Sequence, residues 1–284
     1  MQTVLVTGGR GASGRWVVDR LAGDYEVVVV DYDHPGLGVD PAPHVSFRAA
    51  DLAERDQALD VVAAVDPDAV VHWAAIPVAG THPEGRVFET NALAAKHVLD
   101  AAGRADAPVV QASSDGAYGF FFAEPTPFPD ELPVTEAHPL RPEDPYGLSK
   151  VTAEAAAGAA ARRHGVPAVS VRPSWIQYPG AYACRAEEYV TDLDAGAGNF
   201  WSYVDARDVA DLVAALGRPL RDLLRESYGE IPDDCAVDEG AFAARDDRGA
   251  YAVAKAERLF GWTPSRSWRD AADEAVAEPT LFAE

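Results

Sequence analysis

Between Thr3 and Arg172, short apolar runs alternate with longer stretches of helical period. Thr3–Thr7 is a run of strand length. The stretch Gly14–Leu21 sets Trp16, Val17, Val18 and Leu21 along one side of a helix. Glu26–Val30 is a β-branched run ending at Asp31, and His44–Phe47 is a further strand, followed by Asp51-Leu52. The spacing then predicts a helix over Asp56–Val65, a buried strand over Ala69–Trp73 and a long helix over Glu84–Ala102. Pro108–Ser113 reads as a strand, Tyr146–His164 as a helix and Ala168–Arg172 as a strand. Continuously apolar strands between helices argue for a parallel sheet covered on both faces. The expected fold is therefore α/β, a Rossmann-type doubly wound parallel sheet. Beyond Pro173 the pattern loosens, and residues 174–202 are rich in Gly, Tyr and acids. Asp205–Leu216, Arg218–Arg225 and Val253–Phe260 read as helices. The expected division is a cofactor domain over 1–173 and a small lobe over 174–284, with the 205–216 helix returning to the first domain.

Between the first strand and the first helix lies Thr7-Gly-Gly-Arg-Gly-Ala-Ser-Gly14. Glycines at 8, 11 and 14 permit a tight turn and close approach of the backbone to a pyrophosphate, with the helix N-terminus facing its charge. Asp31 ends the second strand and can accept hydrogen bonds from ribose hydroxyls, which favours NAD. Arg10 leaves NADP open, since a guanidinium in this turn can reach a 2′-phosphate. Further on, Tyr146 and Lys150 stand four residues apart, on one face of a helix. An ammonium beside a phenol favours phenolate and lowers its pKa from about 10. Such a tyrosine can exchange a proton with an alcohol or carbonyl, which is half of a hydride-transfer reaction.

The net charge of −22 disfavours nucleic acid and anionic membranes as partners. The lysines are only three, Lys96, Lys150 and Lys255. This acidic, Lys-poor composition resembles that of proteins from salt-loving microbes. Cys184 and Cys235 are isolated, which fits a reducing cytoplasm, and the seven histidines show no metal spacing. No apolar run approaches the roughly 18 residues of a membrane span. Met1 leads almost directly into an apolar strand, so no leader peptide is expected.

Taken in order, these residues resemble the extended short-chain dehydrogenase/reductase family, which includes NAD-dependent sugar epimerases and dehydratases. The glycine turn matches T-G-x-x-G-x-x-G, and Asp51-Leu52 resembles an adenine-contacting dipeptide. His72-Trp-Ala-Ala75 resembles H-x-A-A, Ser113-Ser-Asp-Gly-Ala-Tyr-Gly119 resembles S-S-x-x-x-Y-G, and Tyr146 to Lys150 matches Y-x-x-x-K. Arg172-Pro173, Phe200–Asp205 and Ala254–Pro264 match later landmarks. The resemblance implies Tyr146 as acid/base, Ser114 as hydrogen-bond partner of the reacting oxygen, and Lys150 on the nicotinamide ribose. It also implies that Ala12, Ser13, Asp51, Leu52, Ala74, Ala75, Ile76, Asn91 and Pro173 line the cofactor. A homodimer through the 84–102 and 146–164 helices is a further implication. The alanines of those helices, Ala153, Ala156, Ala157 and Ala160, suit packing within one chain equally well.

Departures from the family narrow the chemistry. Family dehydratases carry Asp-Glu after the serine or threonine, whereas here Asp115 is followed by Gly116, which speaks against elimination. The 179–200 stretch is short and offers Arg185 as its one basic residue for a diphosphate. A second shortening follows the 205–216 helix. A small sugar or sugar acid is therefore the expected substrate, with Phe120, Phe121 and Phe122 bordering its pocket or packing the lobe. The leading expectation is an NAD(P)-dependent sugar dehydrogenase. The alternatives are a nucleotide-sugar epimerase and a non-catalytic NAD(P) sensor, the latter disfavoured by an intact Ser114, Tyr146 and Lys150. No G-x-S-x-G surrounds Ser114, so a serine hydrolase is excluded.

Overall fold

The computed structural model describes residues 1–36, 38–77, 82–217, 253–271 and 273–283. Its strands are β1 (Thr3–Thr7), β2 (Glu26–Asp31), β3 (Val45–Ala49), β4 (Ala69–His72), β5 (Val109–Ala112) and β6 (Ala168–Val171). They pair in parallel in the order β3-β2-β1-β4-β5-β6, the doubly wound arrangement expected from their apolar runs. Intervening helices are α1 (Gly14–Ala22), α2 (Arg55–Val65), α3 (Glu84–Arg104) and α4 (Pro145–His164), and a short α5 (Glu187–Thr191) comes after the sixth strand. Most predicted boundaries shift by one or two residues. The His44–Phe47 strand starts one residue later, because His44 has left-handed backbone (φ 62) that no strand accommodates.

Alternation along each strand feeds two cores. On one face Val4, Val6, Val27, Val29 and Val71 pack against α1 and α6 (Ala206–Gly217). On the other, Leu5, Val30, Val70 and Val109 pack against α2, α3 and α4. Ala153, Ala157 and Ala160 of α4 are buried there with Ala94, Ala95 and Val98 of α3, so this alanine stripe serves packing within one chain. Asp144 caps α4 by accepting from Gly147 N at 2.8 Å, and Pro145 follows at the first helical position, where its missing N–H costs nothing. These two residues start the helix one residue before Tyr146.

The loosely patterned region holds a second parallel pair, β7 (Trp175–Gln177) with β8 (Tyr203–Asp205), which the sequence reading missed. Two short helices, Ala254–Phe260 and Trp268–Ala271, follow. Buried Asp208 of α6 anchors this segment, accepting from Ser265 Oγ at 2.9 Å and Arg266 at 2.7 Å. The expected helix over Arg218–Arg225, the second shortening beside it, and Cys235 lie outside the described residues. Among the described residues no helix is long and apolar enough to cross a membrane.

Candidate active site

At the carboxyl ends of the strands lies a cleft of about 690 Å³, the position where ligands sit in open α/β sheets. Its cofactor end is built from backbone. Gly8 has left-handed φ (+68), and a Cβ there would stand 2.5 Å from the Cα of Ala74. A Cβ on Gly14 would collide with the Gly8 carbonyl oxygen, so the turn closes only with glycine at both positions. Thr7 Oγ1 accepts from the backbone N–H of Trp73 and of Ala74, each at 3.1 Å, which ties the turn to the end of β4. Ser13 Oγ accepts from the Trp73 indole at 3.0 Å. This cradle, open to backbone approach and bordered by Asp31, fits a dinucleotide.

Gly8, Gly11, Ala12, Ser13, Gly14, Asp31, Asp51, Leu52, Ala74, Ala75, Ile76, Asn91, Ser114, Tyr146, Lys150 and Pro173 all line this one cleft. Arg10 does not. Its guanidinium donates to Asp33 Oδ1 at 2.9 Å and to the Asp33 carbonyl at 3.0 Å, and it borders a separate, smaller cleft. Asn91 meets the cleft with its amide already engaged. It accepts from Ile76 N at 2.8 Å and donates to the Ile76 carbonyl at 3.1 Å, pinning the segment after β4.

The reacting end is built from buried Ser114, Asp115 and Lys150 with half-buried Tyr146. Lys150 is 5 % exposed, and its Nζ donates to the Ala112 carbonyl at 2.9 Å. Burial disfavours its charge and lowers its pKa to about 8. The ammonium stands 5.4 Å from the centre of the Tyr146 ring. The expected acidic phenol is not what results. Burial pushes Tyr146 up to about 12; a hydrogen bond with Ser114 opposes this, and the charges of Asp115 and Asp144 add to it. Desolvation is the largest of these causes and sets the direction. His72, behind Lys150, is neutral at ordinary pH. Burial and the Lys150 charge lower its pKa to about 3, and its Nδ1 shares a hydrogen with Thr7 Oγ1.

Sequence reading treated Asp115 only as a departure from a motif. Here it is a buried wall of the cleft. Its Oδ1 accepts from Ser114 Oγ at 3.1 Å and its Oδ2 from Ser174 Oγ at 2.9 Å. Burial raises its pKa to about 6, against the pull of those hydroxyls and of the Gly116 N–H. Ser114 Oγ in turn accepts from Gly116 N at 3.0 Å. A Cβ on Gly116 would lie 3.3 Å from Ser114 Oγ and 3.6 Å from the Tyr146 ring, so its absence keeps the gap between them open. Ser174, Trp175 and Tyr178, from the unanticipated β7 region, also line the cleft. No local sequence signal marked them, because β7 is only three residues long. Phe121 and Phe122 line the cleft, whereas Phe120 is buried against Tyr118, His138 and Phe200. Arg185 is held by Asp273 at 2.7 Å and does not line the cleft.

A profile of the NAD dependent epimerase/dehydratase family matches residues 4–219, and the chain belongs to that family. A UDP-glucose 4-epimerase of Streptococcus mutans is 33 % identical over 176 residues, covering 60 % of this chain and 50 % of the relative. An L-arabinose 1-dehydrogenase (NAD(P)(+)) of Haloferax volcanii is 30 % identical over 186 residues, covering 62 % and 68 %. A crystal structure of a UDP-galactose 4-epimerase superposes with a TM-score of 0.63 at 25 % identity, covering 95 % of each chain. The chain spans about half the length of the curated epimerases that it matches.

Proposed function

We propose that this chain is an NAD-dependent oxidoreductase acting on a hydroxyl-bearing carbon of a small sugar-like substrate. The observation that carries this reading is one cleft lined at one end by the glycine turn and Asp31 and at the other by Ser114, Tyr146 and Lys150. NAD is favoured over NADP because Asp31 faces the adenosine end and Arg10 is already paired with Asp33. When bound, the nicotinamide supplies hydride acceptor or donor chemistry.

The chain's own residues move the proton. Tyr146, held protonated by its burial, donates to the carbonyl oxygen in the reductive direction; in oxidation it first gives its proton to solvent and, as phenolate, takes the hydroxyl proton. Lys150 is anchored on the Ala112 carbonyl and keeps further N–H donors for a ribose hydroxyl. Its charge eases deprotonation of the phenol. Ser114 turns its hydroxyl from Asp115 toward the reacting oxygen and stabilises charge as it develops. Residues 1–173 would hold the cofactor and the lobe over 174–284 would bind the substrate, with the 205–216 helix returning to the first domain. The outer faces of α3 and α4, where Leu93 and Leu148 are exposed, would form a homodimer, which sedimentation or size exclusion measures directly.

Lobe length argues less for a small substrate than expected, since the chain covers nearly all of a UDP-galactose 4-epimerase structure. That coverage favours the second reading, a nucleotide-sugar epimerase. The two separate when purified protein is mixed with NAD and free sugars in high salt and the absorbance of reduced nicotinamide is followed. Accumulation of reduced cofactor with a free sugar supports the dehydrogenase. Interconversion of UDP-hexoses with no net reduction, and silence toward every free sugar, would overturn it.

A further inference from the structure

We propose that Asp115 sets the substrate class, admitting a neutral sugar and rejecting a sugar acid. This deepens the oxidoreductase reading and rests on it. Asp115 sits beside the reacting position, between Ser114 and Ser174, with both carboxylate oxygens already holding one hydroxyl each. The N–H groups of Gly116 and Asp115 also act on this carboxylate, so what acceptor capacity it keeps suits a neutral hydroxyl rather than an anion. A substrate carboxylate meets like charge there when Asp115 is ionised, and the neighbouring Ser114 and Ser174 hydroxyls already donate to Asp115. Among the described residues that line the cleft, Lys150 is the one cation, and it belongs to the cofactor end of the reacting pair. The basic residue that a sugar acid would require, Arg185, is held by Asp273 elsewhere. The facing walls are apolar and aromatic, from Phe121, Phe122 and Trp175, which suits the C–H face of an uncharged pyranose. Rejection by an unpaired or repelled charge discriminates more sharply than loss of an apolar contact.

The test compares matched pairs that differ only in the C6 carboxylate, D-glucose with D-glucuronate and D-galactose with D-galacturonate, each with NAD and intact protein. The expected result is kcat/KM at least about tenfold higher for the neutral member. In Asp115→Asn that ratio should fall by about tenfold or more, mainly through a lower KM for the uronate. Asp115→Ser provides the same reading if the amide variant does not fold. Wild-type turnover of the uronate equal to or above that of its neutral partner would overturn the inference while leaving the oxidoreductase reading intact. Equal losses on both substrates in the variants would overturn it too, reducing Asp115 to a support for Ser114. Failure of every member to reduce NAD strikes the oxidoreductase reading itself, and the inference falls with it.

Discussion

Helix α4 carries two charges one turn apart, Lys150 buried and Glu154 partly buried, and they are treated oppositely. Glu154 is matched: it receives Arg172 through two bonds, at 2.7 and 2.6 Å, and Ser113 Oγ besides. Arg172 also donates to the Tyr118 hydroxyl at 3.1 Å and lies over its ring. Lys150 is not matched. Among the described residues no carboxylate lies within salt-bridge distance of it, and its hydrogen bond goes to a backbone carbonyl. The matched pair ties α4 to β6 and to the turn after β5, which carries Ser114. The unmatched ammonium, with half-buried Tyr146 and buried Asp115, makes a region where folding works against the charged states. Unsatisfied charge of this kind marks places where chemistry, rather than stability, explains the residue.

That contrast can be broken in order of size. Tyr146→Phe should cut turnover by about 10³-fold, the scale of a lost general acid/base, with the unfolding midpoint unchanged or raised. Steady-state rates and a denaturant melt check both halves. On the matched side, Arg172→Met should lower stability by about 2 kcal/mol, because it leaves partly buried Glu154 without its partner. A urea midpoint near wild type would show the pair to be dispensable.

Lys150→Met should do the reverse and stabilise the protein at pH 7, by at most ~3 kcal/mol, while abolishing turnover. The sign follows from the lowered folded-state pKa. Between about pH 8 and 10.5 the unfolded chain holds more protons, so wild-type stability rises with pH there. The advantage of the variant should be full below pH 8 and vanish toward pH 10.5. Melts across that range decide it, and a constant gap would contradict the buried ammonium. Asp33→Asn should have the smallest effect, under about 1 kcal/mol, since the Arg10–Asp33 pair is exposed. It should narrow the NAD over NADP preference a few-fold, as measured by the KM ratio for the two cofactors.

Much of the frame was legible because its signals are local. Six apolar runs fixed six strands, and the glycines at 8, 11 and 14 marked the cradle from spacing alone. Tyr146 and Lys150 were found from helical geometry, since a separation of four residues specifies a shared face. The region after Pro173 was poorly legible. A three-residue strand carries too little periodicity to be recognised, so Ser174 and Trp175 went unnoticed. The role of the α4 alanines was equally undecidable, because a small-residue face packs as well on a partner as on α3.

By itself, then, the sequence determined the six strands, the dinucleotide cradle and the Tyr146–Lys150 pair. Short-range spacing encodes all three. Tertiary structure alone decided their protonation. Burial sends Tyr146 up where a neighbouring ammonium argued for down, and it brings both Lys150 and Asp115 toward neutrality. It also joined Asp115 to Ser174, 59 residues away, and gave Arg10 to Asp33 rather than to the cleft. Desolvation and long-range pairing depend on what the whole fold packs around a group, and no local pattern records that.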